Sequence, residues 1–323
     1  IRWITPTNAN DPNAEHSEWL RDMNFGAGPA VGEGLVFVGA STSAGGRDVR
    51  YYVLAFDVAT GRLVWSQRIA SLMTDSGRFG GPTATAGDTA PVLYDRGIVI
   101  LQTNAGAIVG LDARTGTVRW AHKYARRTAG AAAGWNQPTA VSELWANQQP
   151  LSHRGVVYSA PTDSVRMIVL LARSGELVRH YPVTERDASD LEYLLGIVDD
   201  RLVIQGRGRV RILDTRSDAV NGTVDTTVFV ETTRYALNPR DIENPNFVTG
   251  RGLVTRDSVL VPTRQGIVGF DMNTGRRLPP IDWPDVLEGD VQGHLYAFSI
   301  ESSPRRTLLA LMSAQRMRLF DVE

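Results

Sequence analysis

The sequence AFDVATGRLVW at residues 55–65 decides the fold, because the same pattern returns along the chain. It recurs as GLDARTGTVRW at residues 110–120 and as GFDMNTGR at residues 269–276. Weaker copies lie at residues 171–175, 212–216 and 319–323. Because recurring segments of this kind build a fold from similar neighbouring units, we predict a repeat protein.

A short apolar, β-branched run precedes each copy of this pattern and follows a polar turn. Runs of this composition, bounded by turn residues, are typical of β-strands. No segment keeps a helical apolar period, so the chain is predicted to be all-β. The six runs lie at residues 34–39, 97–101, 155–159, 201–205, 258–262 and 294–298, and each is predicted to be the second strand of its unit.

Each unit is predicted to contain four short strands, with Thr60-Gly61 as the tight turn between the third and the fourth. Gly61 supplies the positive φ that such a turn needs. The Asp57 carboxylate is expected to accept hydrogen bonds from the amides of this turn. Trp65 is expected to pack against the neighbouring unit, and the copy at residues 110–120 is expected to repeat these roles.

The Ala-x-Asp-x-x-Thr-Gly-x-x-x-Trp element at residues 55–65 resembles the tryptophan-docking motif of pyrroloquinoline-quinone (PQQ) type β-propellers. The resemblance extends through the repeats over nearly the whole chain. It implies an all-β fold, a β-propeller of about six four-stranded blades, in a single domain over residues 1–323. The family includes quinoprotein alcohol dehydrogenases, the propeller lipoprotein of the outer-membrane β-barrel assembly machinery and sensor domains of bacterial kinases. The resemblance is therefore specific for the fold and not for the function.

The two ends of the sequence have complementary patterns. Trp3 resembles the end of a fourth strand, whereas the last repeat stops at Glu323, before its turn and fourth strand. The N-terminal strand is therefore expected to complete the last blade and to close the propeller without an exposed edge. The alternative is an arc of a longer propeller. The blade count also depends on residues 218–247, where the run at 226–231 either extends a blade or begins another.

Long connections are predicted to gather at one edge of the blades. The order of antiparallel strands places the blade-to-blade connections and the second-to-third connections at the same edge. The long segments at residues 40–50, 66–90, 121–149 and 221–246 all occupy such places, whereas the Thr-Gly turns at the other edge are short. Long loops on a rigid scaffold frequently carry a binding site.

Residues 121–149 hold the candidate partner-binding site. Arg126 and Arg127 precede Trp135 and Trp145 in this segment. Aromatic side chains beside cations can hold a peptide or a sugar, so these four residues are expected to contact a partner. The alternative is that both tryptophans pack between blades and that the arginines are solvated.

The composition argues against several classes of function. The net charge is −1, which gives no support to a nucleic-acid partner, and no apolar stretch is long enough to span a bilayer as a helix. There is no cysteine, so thiolate metal sites and the cysteine pair of many quinoprotein dehydrogenases are excluded. The five histidines are scattered, without metal-ligand spacing. No catalytic, cofactor or metal site is therefore expected.

The sequence favours a non-catalytic, extracytoplasmic propeller that binds a protein partner or an extended polymer through its long loops. It is expected to be a monomer or part of a larger assembly, periplasmic or at the cell surface. The sequence begins at Ile1 and not at Met, so a processed N-terminus is expected. Two other classes stay open: an oxidoreductase with a metal or quinone at the propeller axis, and a sensor domain of a larger membrane protein.

Overall fold

The computed structural model of the chain groups into two compact units, Ile1–Thr184 and Glu185–Glu323. The residues that the structure describes are 11–26, 28–44, 48–73, 89–126, 145–164, 166–182, 193–206, 209–216, 225–230, 248–263, 266–282, 294–300, 306–312 and 317–321.

Within the described residues of the first unit, a one-turn 3-10 helix, Ala14–His16, and a short helix α1, Ser17–Arg21, precede three antiparallel sheets. The strands of the first sheet are β1 (Asn24–Phe25), β2 (Ala30–Gly32), β3 (Leu35–Ala44), β4 (Asp48–Asp57) and β5 (Leu63–Met73), and both β1 and β2 pair with β3. The second sheet comprises β6 (Leu93–Asp95), β7 (Ile98–Gln102), β8 (Ala107–Asp112) and β9 (Val118–Lys123). The third comprises β10 (Leu151–His153), β11 (Val156–Ser159), β12 (Arg166–Leu171) and β13 (Leu177–Pro182).

The second unit also contains three antiparallel sheets within its described residues. The first of them comprises β14 (Tyr193–Val198), β15 (Arg201–Gln205), β16 (Arg209–Asp214) and β17 (Asp225–Val230). The next comprises β18 (Leu253–Val254), β19 (Ser258–Pro262), β20 (Gly266–Asp271) and β21 (Ile281–Asp282). The last comprises β22 (His294–Ile300), β23 (Arg306–Met312) and β24 (Met317–Asp321).

The fold class is the predicted one, a β-propeller. Small antiparallel sheets are the unit of this fold, and the described residues form six of them: four with the predicted four strands, the first with five and the last with three. The expected closing strand at residues 1–3 lies outside the described residues, so closure stays a prediction. The single domain over residues 1–323 likewise stays a prediction.

Both faces of the second strands are buried, which explains why their sequences are continuously apolar. In β7, Val99 and Leu101 pack with Phe37 of the first sheet, and Ile98 and Ile100 pack with residues of the third sheet. All five residues of β7 are buried. Each large apolar side chain removed from water in this way contributes about 1.5–3 kcal/mol. The core therefore consists of the layers between neighbouring sheets.

The recurring aspartate caps its own turn, as predicted. Asp57 Oδ1 accepts hydrogen bonds from the amides of Ala59 at 3.0 Å and Thr60 at 2.7 Å, and from the Thr60 hydroxyl at 2.8 Å. Asp112 and Asp271 make the same three bonds within their own turns. These bonds hold the pKa of the Asp57 carboxyl below its ordinary value.

The recurring tryptophan connects the first sheet to the second and the second to the third, as predicted for Trp65 and Trp120. Trp65 Nε1 donates a hydrogen bond to the carbonyl oxygen of Ala113 at 3.0 Å. A Cβ atom on Gly116 would lie 2.7 Å from the Trp65 ring, so only glycine leaves room for the indole. Gly116 also has a φ of +72°, which favours glycine for a second reason.

The structure decides two strand assignments that were made from the sequence, at residues 294–298 and 226–231. Residues 294–298 were predicted to be a second strand, which is wrong, because β22 is followed by β23 and β24, and β24 is the strand that ends in the recurring aspartate. The second strand of the last sheet is β23, which has a similarly apolar sequence. The run at 226–231 largely coincides with β17, which completes its sheet as the fourth strand.

Candidate partner-binding site at the loop edge

Of the segments predicted to be long connections, those at residues 66–90 and 121–149 span the links between neighbouring sheets, whereas the predictions at 40–50 and 221–246 are wrong in part, because these segments contain residues of β3, β4 and β17. Strand β5 ends at Met73 and β6 begins at Leu93, and β9 ends at Lys123 while β10 begins at Leu151. In contrast, only a short turn separates β8 from β9. We call the edge with the sheet-to-sheet connections the loop edge and the edge with the Thr-Gly turns the turn edge.

Arg126, one of the predicted site residues, lies at the loop edge just after β9. Its Nε donates a hydrogen bond to Asp163 Oδ2 at 2.7 Å, in the turn after β11 of the neighbouring sheet. Tyr124 Oη donates to the other oxygen, Asp163 Oδ1, at 2.5 Å. One carboxylate therefore holds the start of the long connection after β9 to the third sheet.

Tyr124 is partly buried and packs against the apolar cluster between the second and third sheets. Burial raises the pKa of its hydroxyl above the ordinary value, and the negative charge of Asp163 raises it further. The hydroxyl is therefore protonated at physiological pH and acts as a donor. The Tyr124 amide donates to the carbonyl oxygen of Gly106 at 3.0 Å. Gly106 has a φ of +88°, and a Cβ atom there would lie 3.0 Å from Arg126 Cδ, so glycine allows the arginine stem to pass.

Trp145, another predicted site residue, is buried, with 1% of its surface exposed. Its indole Nε1 has no hydrogen-bond partner among the residues that the structure describes. The same holds for the buried hydroxyl of Thr89 within that part of the chain. Trp145 therefore anchors the end of the long connection by its burial.

Three consecutive amide residues after Trp145 fix this end of the connection to the sheets. Asn147 Nδ2 donates to the carbonyl oxygen of Thr89 at 3.3 Å, before β6. Gln149 Nε2 donates to the carbonyl oxygen of Val92. The carbonyl oxygen of Gln148 accepts a hydrogen bond from the Gln102 side chain of β7. The segment at residues 145–150 is thus held by both side chains and backbone.

Gln102 ends β7 and is completely buried. Its Nε2 donates to the Gln148 carbonyl oxygen at 2.8 Å, and its Oε1 accepts from the Ser159 hydroxyl at 2.8 Å. In the second unit, Gln205 ends β15 and makes the equivalent contacts, donating to the Gly250 carbonyl oxygen at 2.8 Å and accepting from the Gly252 amide at 2.6 Å. A buried glutamine therefore connects two neighbouring sheets in each unit.

The four predicted site residues have different outcomes. Arg126 lies at the loop edge and 35% of its side chain is exposed, whereas Trp145 is buried. Arg127 and Trp135 lie outside the described residues. Partner binding by these residues stays a prediction, and Trp145 as it stands has almost no surface available to a partner.

Sequence reasoning missed the residues that hold the site together, namely Tyr124, Asp163, Gln102 and Asn147. The run Asn147-Gln148-Gln149 is the one local signal that could have indicated an anchored segment. The pairing with Asp163 has no signal in the sequence, because it joins two different repeats.

Few titratable groups at this edge have a shifted pKa among the residues that the structure describes. His122, near the end of β9, is partly buried, and burial lowers the pKa of its imidazole, which favours the neutral form at pH 7. Among the described residues, no three histidine or acidic side chains come together as metal ligands. Within the same residues, no helix is long and apolar enough to cross a membrane.

Comparison with known proteins gives one family and several similar folds. A family model described as outer membrane protein assembly factor BamB matches residues 7–311. The crystal structure of BamB from Moraxella catarrhalis is 17% identical, with a TM-score of 0.48, and the alignment covers 89% of this chain and 73% of that chain. The computationally designed Ika8 protein is 14% identical, with a TM-score of 0.53 and coverage of 92% and 71%.

A quinohemoprotein alcohol dehydrogenase, ADHIIG from Pseudomonas putida HK5, is 13% identical, with a TM-score of 0.47 and coverage of 90% of this chain and 52% of that chain. No curated protein matches the chain. At these identities the similar structures concern the fold alone.

Proposed function

The chain belongs to the family of the outer membrane protein assembly factor BamB, and we propose that it is a non-catalytic, protein-binding propeller. In this proposal it is extracytoplasmic, forms a single domain over residues 1–323 and binds another protein through its loop edge. Its partner is a component of the machinery that assembles outer membrane proteins in its own cell. It needs no cofactor for this role.

One observation carries the proposal: the long connection between β9 and β10 is anchored at both of its ends. Arg126 and Tyr124 hold its start to Asp163. Trp145 is buried at its end, and the amide residues that follow are bonded to the sheets. Fixed ends reduce the conformational entropy that a loop loses when it binds, so this connection is suited to partner recognition.

The partly exposed Arg126 side chain offers a polar contact at this edge. Its Nε is engaged by Asp163, and a guanidinium carries further N–H donors that can bind a partner's carboxylate or carbonyl oxygen. The same ion pair limits the rotamers of the arginine, so less side-chain entropy is lost when a partner binds.

Site-specific photo-crosslinking in the native host tests this proposal. A photoreactive phenylalanine analogue replaces Arg126 in one variant and Arg62, an exposed residue after the Thr-Gly turn of the first sheet, in the matched control. We expect position 126 to form a cross-link to an outer membrane protein assembly component, identified by mass spectrometry, and position 62 to form none to that protein. Equal cross-linking at both positions, or none at position 126, would contradict the proposal.

The enzyme alternative has its own test. The purified chain is mixed with calcium and PQQ, binding is measured by calorimetry, and alcohol oxidation is followed with a dye as electron acceptor. We expect no more alcohol-dependent dye reduction than calcium and PQQ give without the protein. Alcohol-dependent dye reduction by the loaded chain would overturn the non-catalytic assignment.

A further inference from the structure

A cavity of about 550 Å³ lies at the turn edge of the first unit, away from the loop-edge site. The turns of all three sheets of this unit line it, and its walls are strongly charged. Cavities of this volume are in the range that holds a small ligand or a few residues of a peptide. Four arginines contribute to the lining: Arg96, Arg114, Arg119 and Arg173.

Three carboxylates also line the cavity, and two of them are fully engaged by the protein. Glu33 pairs with Arg114 Nε at 2.6 Å and accepts a hydrogen bond from the Tyr94 hydroxyl at 3.3 Å. Asp112 accepts from its own turn and from Arg119, an interaction that lowers the pKa of its carboxyl to about 2.

The third carboxylate, Asp95, approaches Arg96 only at 3.9 Å. That arginine is 75% exposed, so the pair is weak and leaves the guanidinium available to a ligand.

Comparison of the internal repeats shows that an ion pair of the first two sheets has no counterpart between the second and third. Glu33 and Arg96 hold the same position in successive sheets, the first residue of the turn between the first and second strands, with φ of 53° and 45°. Arg114 and Arg173 likewise hold the same position in the turns before the fourth strands of the second and third sheets. The first pair of sheets thus has a carboxylate facing a guanidinium. The equivalent positions of the next pair carry two arginines.

Arg173 has no carboxylate partner in the part of the chain that the structure describes. Two guanidiniums at one cavity repel each other unless an anion lies between them. Arginine is the side chain best suited to bind a carboxylate through two parallel hydrogen bonds. The cavity therefore has the donors for an anion in place and contains an uncompensated charge.

The charge balance selects the class of ligand. Four guanidiniums against three carboxylates leave one net positive charge in the lining. A single carboxylate neutralises that charge, whereas a phosphate dianion would add repulsion from the carboxylates already present. We propose that this cavity binds a glutamate or aspartate side chain of a partner protein between Arg96 and Arg173.

This site goes beyond the proposed function, because it lies at the opposite edge of the sheets and its test does not depend on the loop edge. The full chain is titrated at low salt with an acetylated, amidated Gly-Gly-Glu-Gly-Gly peptide, which carries a single carboxylate, and binding is measured by calorimetry. A matched glutamine peptide, the same glutamine peptide with a free C-terminal carboxylate, and inorganic phosphate are the comparison ligands. We expect the glutamate peptide to bind most tightly and to weaken as salt is added.

Single substitutions test the residues. Arg173→Gln and Arg96→Gln are each expected to weaken peptide binding by about threefold or more, the scale of an exposed ion pair. Arg62→Gln, outside the cavity, is the matched control and should change nothing. Glu33→Gln is expected to strengthen binding, because it frees Arg114 and adds one net positive charge. All these side chains are at least partly exposed, and a thermal melt checks that each variant folds.

Three results would overturn the proposal. Tighter binding of phosphate or of the free C-terminal carboxylate would show that the cavity prefers a different anion. Unchanged binding in Arg173→Gln would remove that residue from the site. Weaker binding in Glu33→Gln would show that the charge balance does not govern recognition. The loop-edge cross-link is unaffected by any of these results, so the two proposals fail independently.

Discussion

Trp120 lies flat against Gly175 of the next sheet, and its indole Nε1 donates a hydrogen bond to the Ala172 carbonyl oxygen at 2.9 Å. The pair repeats the relationship of Trp65 with Gly116 and Ala113 one sheet earlier. In the first two sheets of the first unit, a tryptophan of the fourth strand thus bonds to the turn before the fourth strand of the next sheet. Through this contact the repeated sequence motif holds neighbouring sheets together.

Removing one of these tryptophans is expected to destabilise the first unit strongly. Trp120 is buried, so Trp120→Ala should lower the free energy of unfolding by about 3–5 kcal/mol. Val118→Ala, two residues earlier on the same strand and 49% exposed, is the control and should change it by less than about 0.5 kcal/mol. Chemical denaturation measures both. Similar losses would show that Trp120 is not a scaffold residue.

Gly175, which lies beneath the Trp120 indole, is expected to tolerate substitution poorly because of that contact. Gly175 has a φ of +70°, and a Cβ atom there would lie 2.4 Å from the Trp120 ring. Gly155 has a φ of +81° but has open space around its Cα. Gly155→Ala should therefore cost only the left-handed backbone strain, about 1–2 kcal/mol, and Gly175→Ala clearly more. Equal costs would mean that the indole moves aside freely.

The capping aspartate makes stability depend on pH. The pKa of Asp112 falls from 3.8 to about 2, chiefly because Arg119 bonds to its charged form. A lowered folded-state pKa stabilises the fold above the unfolded value, and this stabilisation is lost as the pH falls through the folded value. The melting temperature of the parent should therefore decline between about pH 4 and pH 2 more than that of Asp112→Asn. Parallel pH profiles of the two proteins would contradict this assignment.

The buried glutamine at the end of β7 is expected to act as a connector between sheets. In Gln102→Leu the Gln148 carbonyl oxygen and the Ser159 hydroxyl both lose their partner in a buried site. Leaving such groups unpaired costs about 1–3 kcal/mol each, so the variant should be clearly less stable. Ser159→Ala, which removes only one of the two bonds, is the milder comparison, and thermal melts of both variants would show the difference. A loss in Gln102→Leu no greater than in Ser159→Ala would contradict this role.

The sequence was sufficient wherever a structure depends on neighbouring residues. The Thr-Gly turn, the Asp57 cap and the docking of Trp65 follow from one short motif, because backbone geometry and local hydrogen bonds determine them. The second strand of the last sheet was misassigned because β22 and β23 are both apolar and only their pairing distinguishes them.

The candidate site was predictable only in part, because most of its contacts join residues that are distant in sequence. Arg126 could be placed at the loop edge from the order of the strands. Its partner Asp163 and the burial of Trp145 depend on contacts between repeats that are distant in sequence. The missing counterpart of the Glu33–Arg114 ion pair at Arg173 could have been found by aligning the repeats by their turns, because Glu33 and Arg96 hold equivalent positions.

The charge of Asp163 is expected to matter more for recognition at the loop edge than for stability. Asp163→Asn keeps an oxygen that can accept a hydrogen bond from the partly buried Tyr124 hydroxyl, but it removes the charge that orients Arg126. The ion pair is partly exposed on the arginine side, so its loss should reduce stability by about 1 kcal/mol. An unoriented arginine loses more side-chain entropy on binding, so partner binding should weaken more than folding does.

The measurement uses an affinity assay between the purified chain and the partner identified by cross-linking at position 126, beside a thermal melt of the same samples. Tyr124→Phe is the matched variant, because it removes the partly buried hydrogen bond to Asp163 and leaves the arginine pair in place. We expect the opposite balance for it, a larger loss of stability with partner affinity nearly unchanged. If Asp163→Asn binds the partner as tightly as the parent, Arg126 is not oriented for recognition, and the anchored connection serves folding alone.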